Sequence, residues 1–217
     1  MPRPLLLHEA LDLVKRAGLP VADYRVVGSL EEALKAAEEI GYPVALKVSS
    51  RKAIHKTEYG ALVLGINSPE ELREKYRELM ERMKRLGVDV EAVVVQKMAP
   101  KGGVEAFLGG LRDPVFGAIV AVGAGGILVE LYKDVAFMVT PVDRDEVDEA
   151  LSATRFDKVL KGFRGMGPFD RDALIDAAVK LAALMEEDEK IKEIDLNPVL
   201  VYPHGALIVD ARVVYED

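Results

Sequence analysis

Apolar residues near the amino terminus recur at helical spacing, which predicts a helix over residues 5–17. Two further helices have capping signals: Ser29 stands three residues before Glu32, and Ser68 precedes a proline and two glutamates. The predicted order of the first half is a strand at 24–27, a helix at 29–40, strands at 44–48 and 61–66, a helix at 68–86 and a strand at 91–97. This order is typical of a compact α+β lobe.

A stretch rich in proline and glycine at 98–103 follows, and we interpret it as a hinge between two lobes. We therefore divide the chain, 1–217, into an N-terminal lobe at 1–97 and a C-terminal lobe at 98–217. A polar loop at 49–60 connects two strands of the first lobe. In the second lobe we predict strands at 104–111, 116–121 and 135–139, helices at 144–151 and 155–161, a longer helix after Asp170, and a terminal hairpin with strands at 191–195, 199–202 and 207–213 and a turn near Asn197-Pro198.

Composition narrows the class of protein. Half of the residues are hydrophobic, enough for a sizeable core, and no apolar stretch approaches the roughly 20 residues of a membrane helix. We expect a soluble cytoplasmic protein with no membrane contact. A net charge of -8 argues against a general nucleic-acid partner, and the absence of cysteine excludes disulfides and thiolate chemistry. The scarcity of Asn and Gln together with 30% charged residues suggests a thermophilic source.

The first candidate binding residue is Lys47, which lies in the otherwise apolar strand 44–48. Burying an unpaired ammonium is costly, so this lysine needs an anionic partner, and nucleotide phosphates would provide one. The alternative is an edge-strand lysine whose side chain reaches water.

The loop after this strand concentrates positive charge in an acidic protein, because Arg51, Lys52, His55 and Lys56 lie within six residues. Such a patch is suited to phosphate. The imidazole of His55 could accept a phosphoryl group as a nucleophile, with the neighbouring cations offsetting its charge. The alternative is a solvated basic loop without chemistry.

The strand at 91–97 ends in Gln96-Lys97-Met98 at the proposed hinge. Exposed backbone N–H and C=O groups there could pair with the edge of an adenine ring. Nine residues beyond Gln96, Glu105 could accept hydrogen bonds from ribose hydroxyls, although a plain surface glutamate is the alternative.

The strongest local signal is the pair Asn197 and Asp210, on what we predict to be adjacent strands of the terminal hairpin. Oxygen ligands in this arrangement suit Mg²⁺, which takes one or two protein oxygens and completes its octahedron with phosphate and water. Asp195 could replace Asn197 as a ligand, since strand alternation points both to one face. The alternative is an Asx turn before Pro198 and an unrelated surface aspartate.

The glycine-rich run 123–126 does not fit a dinucleotide-binding fingerprint, because the third glycine is misplaced and the following residues resemble a strand. We interpret the run as a tight turn, with Glu130 and Asp134 as candidate contacts at the rim of the site.

Taken together, four segments resemble the ATP-grasp subunit of ADP-forming acetate/acyl-CoA ligases: EEALKAAEEIGYPVALKVSS, IHKTEYGALVLGI, GGVEAFLGGLRDPVFGAIVAVGAGGILVELYKDVAF and EIDLNPVLV. The resemblance implies an ATP-grasp fold with the nucleotide, ATP or ADP, in a cleft between two lobes. It also implies roles for individual residues: Lys47 on the phosphates, Gln96, Lys97 and Met98 at the adenine, Glu105 on the ribose, Asn197 with Asp210 on Mg²⁺, and His55 as a phosphate relay.

The same resemblance implies a partner, since no CoA-binding domain is recognisable in this sequence. We expect a CoA-binding α subunit with its own phosphohistidine, in an α2β2 assembly. The implied reaction is acyl-CoA + ADP + phosphate giving acid + CoA + ATP, reversibly. Two alternatives remain at this point: another ATP-grasp ligase that forms a free acyl phosphate, and a non-catalytic module that senses ATP.

Overall fold

A computed structural model describes residues 2–51, 60–126 and 133–216. The chain divides into two compact units. We call the first the large unit, formed by Met1–Leu5, Ala10–Val21 and Pro100–Asp217, and the second the small unit, formed by Leu6–Glu9 and Ala22–Ala99.

The helices and strands of the described residues follow closely the order that the apolar pattern predicts. They are β1 (Pro2–Pro4), α1 (Leu7–Arg16), β2 (Tyr24–Val27), α2 (Leu30–Ile40), β3 (Val44–Ser49), β4 (Leu62–Ile66), α3 (Pro69–Arg85), β5 (Ala92–Lys97), β6 (Val104–Asp113), β7 (Gly117–Ala124), β8 (Val135–Val139), α4 (Arg144–Ser152), α5 (Phe156–Leu160), α6 (Arg171–Glu187), β9 (Ile191–Val201), β10 (Ala206–Ile208) and β11 (Arg212–Glu216).

The predicted caps of α2 and α3 are confirmed. The Ser29 hydroxyl accepts from the Glu32 N–H, and the Ser68 hydroxyl accepts from the Glu71 N–H, each at 3.2 Å. The two glutamate side chains fold back to accept from the N–H one residue before the cap rather than from the cap itself. Each helix start therefore satisfies its own donors locally, which is why sequence alone located it.

The small unit is built on a four-stranded antiparallel sheet in the order β2-β5-β3-β4. On β3, Val44, Leu46 and Val48 belong to the core cluster that contains the buried residues of α2 and α3. Strand alternation places Lys47 and Ser49 on the opposite face. Because β3 lies between β5 and β4, the interpretation of Lys47 as an edge-strand residue is wrong.

The large unit is built on a seven-stranded antiparallel sheet in the order β1-β11-β9-β6-β7-β8, with β10 also paired to β9. Helix α6 packs on one face of this sheet through an almost continuous stripe of buried residues. Leu108, Val120 and Leu196 are fully or almost fully buried on that face and form its side of the core.

The predicted turn at Asn197-Pro198 is wrong, because β9 runs unbroken through both residues. Strand β6 pairs with β9 on either side of them, with Ala106 opposite Val199 and Leu108 opposite Leu196. Two residues of β9 thus face one residue of β6, which is a β-bulge. The predicted strand at 207–213 is likewise two strands, β10 and β11, separated by residues 209–211.

The prediction that the first lobe begins at residue 1 is also wrong. Strand β1 pairs with β11, with Arg3 opposite Tyr215, and the Leu5 N–H donates to the Val213 carbonyl at 2.9 Å. Further along, the Lys180 ammonium donates to the Gly18 carbonyl at 2.9 Å. These hydrogen bonds to distant residues place most of the first 21 residues in the large unit.

Among the helices in the described part of the chain, none has both the length and the apolar character needed to cross a membrane.

We predict that deleting residues 2–5 destabilises the large unit, because β11 then loses its outer strand and the Leu5 hydrogen bond. The expected loss is about 1–3 kcal/mol in the free energy of unfolding, measured by urea denaturation. Val115→Ala, a truncation in the exposed β6–β7 turn, serves as a neutral control. An unchanged free energy in the deletion variant would show that β1 contributes nothing.

Candidate active site

Asn197 and Asp210 lie opposite each other in the large unit. Ile208 pairs with Val199 and Arg212 pairs with Asp195, so residues 209–211 run alongside residues 196–198 in the same register. Strand alternation places Asn197 on the face of the sheet away from buried Leu196, and the bulge returns Val199 to the buried face. The structure therefore brings the two proposed ligands together, although through a bulged strand and not through the predicted turn.

The glycine-rich turn fixes the orientation of Asn197. The Gly126 N–H donates to Asn197 Oδ1 at 2.8 Å, and because an N–H must meet an oxygen, this contact sets which way the carboxamide faces. Asn197 bonds to Gly126 and not to its own following backbone, so the Asx-turn alternative is wrong.

Glycine is required in this turn by close backbone approach. A Cβ on Gly125 would overlap the Ala106 carbonyl, and a Cβ on Gly126, at φ +64°, would overlap Glu105 Oε2. The Gly125 N–H donates to the Glu105 carbonyl at 2.9 Å. The turn thus bonds to the backbone of Glu105, which is exposed, through Gly125 and to Asn197 through Gly126.

The donor set at this position fits a magnesium ion. Asn197 Oδ1 keeps a second lone pair after accepting from Gly126, and Asp210 supplies a carboxylate that also accepts from the Ala211 N–H at 3.1 Å. No group of three His, Asp or Glu side chains in the described residues could hold a metal ion by itself. One amide and one carboxylate suit Mg²⁺, which usually keeps several water or phosphate ligands.

Asp195 lies two residues before Asn197, opposite Gly109 on one side and Arg212 on the other. Its Oδ1 is buried and has no hydrogen-bond partner among the described residues. The pKa of Asp195 is raised from its ordinary value to about 6. Burial is the main cause; nearby Arg212 opposes the rise, and the charges of Glu193 and Asp210 add to it. A desolvated carboxylate beside the metal pair costs stability in the absence of a ligand.

In the small unit, Lys47 and Gln96 share one face of the sheet. Lys47 is only 5% exposed and Gln96 only 1%. Gln96 lies opposite Ala45, two residues from Lys47. Gln96 Nε2 is buried with no hydrogen-bond partner in the described part of the chain, so it is a donor oriented for a missing acceptor.

The hinge residues differ from the sequence-based expectation. The Lys97 N–H donates to the Asp23 carbonyl at 2.8 Å and the Met98 N–H to the Pro43 carbonyl at 3.1 Å, so neither backbone donor is exposed for a ligand. The Lys97 ammonium donates to the Gly41 and Tyr42 carbonyls, which follow the last turn of α2. Only the carbonyls of this segment remain as candidate contacts.

At the start of the predicted phosphate-binding loop, Arg51 is paired with acidic residues. Its Nη1 lies 3.3 Å from Glu91 Oε2 and its Nη2 lies 3.9 Å from Glu9 Oε1. Most of the positive charge of this guanidinium is therefore already compensated. Lys52, His55 and Lys56 lie outside the described residues, so the role predicted for His55 stays a prediction.

The structure changes the interpretation of two residues near the site, Asp134 and Gly126. The carboxylate of Asp134 accepts from the Arg155 and Phe156 N–H groups and so caps α5, which makes it structural. Glu130 lies outside the described residues. The sequence predicts Gly126 only as part of a turn. Its positive φ and its hydrogen bond with Asn197, about seventy residues further along the chain, are tertiary features that no local pattern reveals.

We predict that Asp195→Asn stabilises the ligand-free protein at neutral pH. An acid whose pKa is higher in the folded state binds its proton on folding, so the cost of Asp195 is fully present above pH 6 and disappears as the pH falls towards 4. The expected gain is on the order of 1–3 kcal/mol at pH 7.5 and near zero at pH 4, measured by chemical denaturation without magnesium.

Glu81→Gln, on the exposed side of α3, is the matched control for the removal of one charge. If Asp195→Asn gave the same gain at both pH values, burial of the charged form would not be its cause.

The chain is similar to known proteins over nearly its whole length. A family model described as an ATP-grasp domain matches residues 3–214. The beta subunit of ADP-forming acetate–CoA ligase I from Pyrococcus furiosus is 39% identical over 214 residues, a match that covers 98% of this chain and 92% of that protein.

Solved structures show the same likeness. Ca. Korarchaeum cryptofilum dinucleotide forming acetyl-coenzyme A synthetase 1, in complex with coenzyme A, Ca-AMPCP and HgCl+, superposes with a TM-score of 0.95 at 41% identity and covers 99% of this chain and 94% of that chain. A second structure of that protein contains coenzyme A and Mg-AMPPCP, with a phosphohistidine segment pointing towards the nucleotide binding site; its TM-score is 0.88 at 40% identity, covering 99% and 93%.

The two kinds of comparison agree on the fold, and the antiparallel sheets of both units are consistent with it. The chain has the ATP-grasp fold and belongs to the family of ADP-forming acetate–CoA ligase beta subunits.

Proposed function

We propose that this chain is the nucleotide-binding subunit of an ADP-forming acyl-CoA synthetase. The reaction is acyl-CoA + ADP + phosphate giving carboxylic acid + CoA + ATP, reversibly. The observation that carries the proposal is the pairing of Asn197 with Asp210, with the Asn197 carboxamide held by Gly126. A ligand pair held in a fixed orientation before the ion arrives is characteristic of a functional metal site.

In the large unit, Asn197 and Asp210 would hold Mg²⁺ and Glu105 would accept from the ribose hydroxyls. When bound, the ion would neutralise charge that develops on the transferring phosphoryl group. The glycine-rich turn supports these roles, because the Gly125 N–H donates to the Glu105 carbonyl and the next N–H, of Gly126, donates to Asn197 Oδ1.

In the small unit, Lys47 would contact the nucleotide phosphates. It lies on the face of the small sheet away from the core, the same face as Gln96. The orphaned Gln96 amide would donate to the adenine, and the carbonyls of Lys97 and Met98 would accept from its exocyclic amine. Arg51 would join the phosphate contacts only by giving up its glutamate partners.

Phosphate would pass between the nucleotide and a phosphohistidine on a CoA-binding α subunit, with His55 as an intermediate station. In the ATP-forming direction the phosphorus–nitrogen bond breaks, the imidazole keeps the electron pair, and an ADP oxygen bonds to phosphorus. The name of the Pyrococcus relative, a beta subunit, supports the existence of a partner. An α2β2 assembly would bring two copies of each chain together.

Membership of this family argues against the other two functions considered. A ligase that forms a free acyl phosphate needs no second subunit with a phosphohistidine, and an ATP sensor needs no metal pair oriented for transfer. No observation in the described residues favours either of them.

We predict that Asp210→Asn weakens magnesium-dependent ATP binding by about 10–100-fold, because a charged oxygen ligand becomes a neutral amide. Isothermal titration of the isolated chain with ATP at several magnesium concentrations measures this effect. Asp145→Asn, in the exposed first turn of α4, controls for the lost charge. An unaltered magnesium dependence would exclude Asp210 as a ligand.

We predict that His55→Asn lowers acyl-CoA synthesis by the assembled enzyme by roughly 10³-fold or more, because the phosphoryl station is lost. Wild-type enzyme incubated with radiolabelled ATP should carry an acid-labile, base-stable label on this chain, and the variant should not. His204→Asn, in the exposed turn between β9 and β10, is the control and should keep the label. Absence of label in the wild type during turnover would exclude the relay.

A further inference from the structure

The face of the large sheet that carries Asn197 has an exposed apolar area. It contains a cavity of about 600 Å³, and Phe137 and Leu111 beside it are 67% and 46% exposed. We call this cavity the sheet-face pocket; it is lined by Phe107, Gly109, Leu111, Ile119, Ala121 and Phe137.

The pocket follows from the strand register. Ala121 lies opposite Gly109 on one side and Phe137 on the other. The two small residues, Gly109 and Ala121, therefore form the floor of the pocket, and larger side chains such as Phe137 stand beside it. The ring of Phe107 lies so close to Gly109 that a Cβ there would sit 2.5 Å from the ring edge. Any side chain at position 109 would therefore displace this ring and reduce the cavity.

The pocket is next to the proposed metal pair, on the side away from the proposed ribose contact. Along β6, Glu105 comes first, Phe107 faces the bulge that holds Asn197, and Gly109 and Leu111 follow. At about 3.3 Å per residue, Gly109 lies roughly 13 Å from Glu105 along the strand. In an in-line transfer the acceptor approaches phosphorus opposite the leaving oxygen, hence from the end of the nucleotide remote from the ribose.

We propose that the sheet-face pocket receives the partner segment that bears the phosphohistidine, through apolar side chains that flank the histidine. This inference rests on the proposed function. In the Mg-AMPPCP structure of the Korarchaeum protein such a segment points towards the nucleotide binding site, so a docking surface is needed at that end. In direct transfer the partner's histidine must reach the phosphates, and in transfer through His55 it must reach the histidine that passes the phosphoryl group on, so in either route the segment approaches this end of the nucleotide.

An apolar surface suits this occupant because the segment must dock in two charge states. It arrives as phosphohistidine in one direction and as free histidine in the other. A docking site built from charges would favour one of the two forms, whereas apolar contacts are the same for both. The charged residues on the rim are balanced, with Lys133 and Lys192 against Glu193 and Asp195.

The size of the pocket suits a reversible contact. A cavity of about 600 Å³ accommodates only a few side chains, and burying them removes a small apolar area from water. That is enough to position a tethered segment and too little for a permanent interface, which buries far more surface.

The test uses Phe137→Ser in the complete complex with the CoA-binding subunit purified from the native host. The partner is first labelled from acetyl-CoA and radiolabelled phosphate, ADP is then added, and label transfer to ATP is followed by rapid quench. We expect transfer about tenfold slower than in wild type. Loading of the partner, and Mg-ATP binding to the isolated variant, should stay within about twofold of wild type.

Two further variants sharpen the test. Phe137→Leu should restore most of the transfer rate, because apolar contact is kept. Phe116→Ser removes a phenylalanine that is 64% exposed in the β6–β7 turn, and it should leave transfer unchanged.

Unchanged transfer in Phe137→Ser would overturn the proposal. So would loss of complex assembly in gel filtration, because the pocket would then be a permanent interface. A change in the self-association of the isolated chain would also overturn it, because the occupant would then be a second copy. Failure of the proposed function is distinct, since then the wild-type complex itself would transfer no label to ADP.

Discussion

Strand β9 holds the large unit together, because it forms hydrogen bonds with β6 on one side and with β10 and β11 on the other. The bulge at Asn197-Pro198 is the single irregularity between β9 and β6. Because of it, Leu196 and Val199 are both fully buried although three positions apart, while Asn197 between them faces away from the core. The proposed metal ligand therefore lies in a strand that is anchored on both sides, which gives it less freedom than a loop position would.

The glycine-rich turn completes this arrangement at the level of the backbone. Its glycines allow the chain to approach the carbonyls of Ala106 and Asp134 more closely than any side chain would permit. The Gly126 N–H thereby reaches Asn197 and fixes its carboxamide. The backbone of the turn thus connects β6, which carries the proposed ribose contact, with Asn197 on β9.

The site also contains groups that reduce stability. Asp195 has a buried oxygen without a partner, and Gln96 a buried nitrogen, in the described residues. Unsatisfied groups of this kind cost free energy in the free protein and become favourable when a ligand satisfies them. They lie in different units, one beside the proposed metal pair and the other beside Lys47, where a polar ligand would be expected to meet them.

The order of the elements and most of the candidate residues follow from local patterns along the chain. Helix caps at Ser29 and Ser68, the alternation along β3 and the unusual Lys47 in an apolar strand are local signals, and local hydrogen bonding and burial produce them. Tertiary structure decided the rest. Asn197-Pro198 resembles a turn until β6 pairs on both sides of it, and the hinge N–H groups look exposed until the carbonyls of Asp23 and Pro43 accept from them. Strands far apart in the chain likewise determine the place of residues 1–5, the desolvation of Asp195 and the sheet-face pocket. The register between such strands is set by their mutual packing rather than by any local pattern.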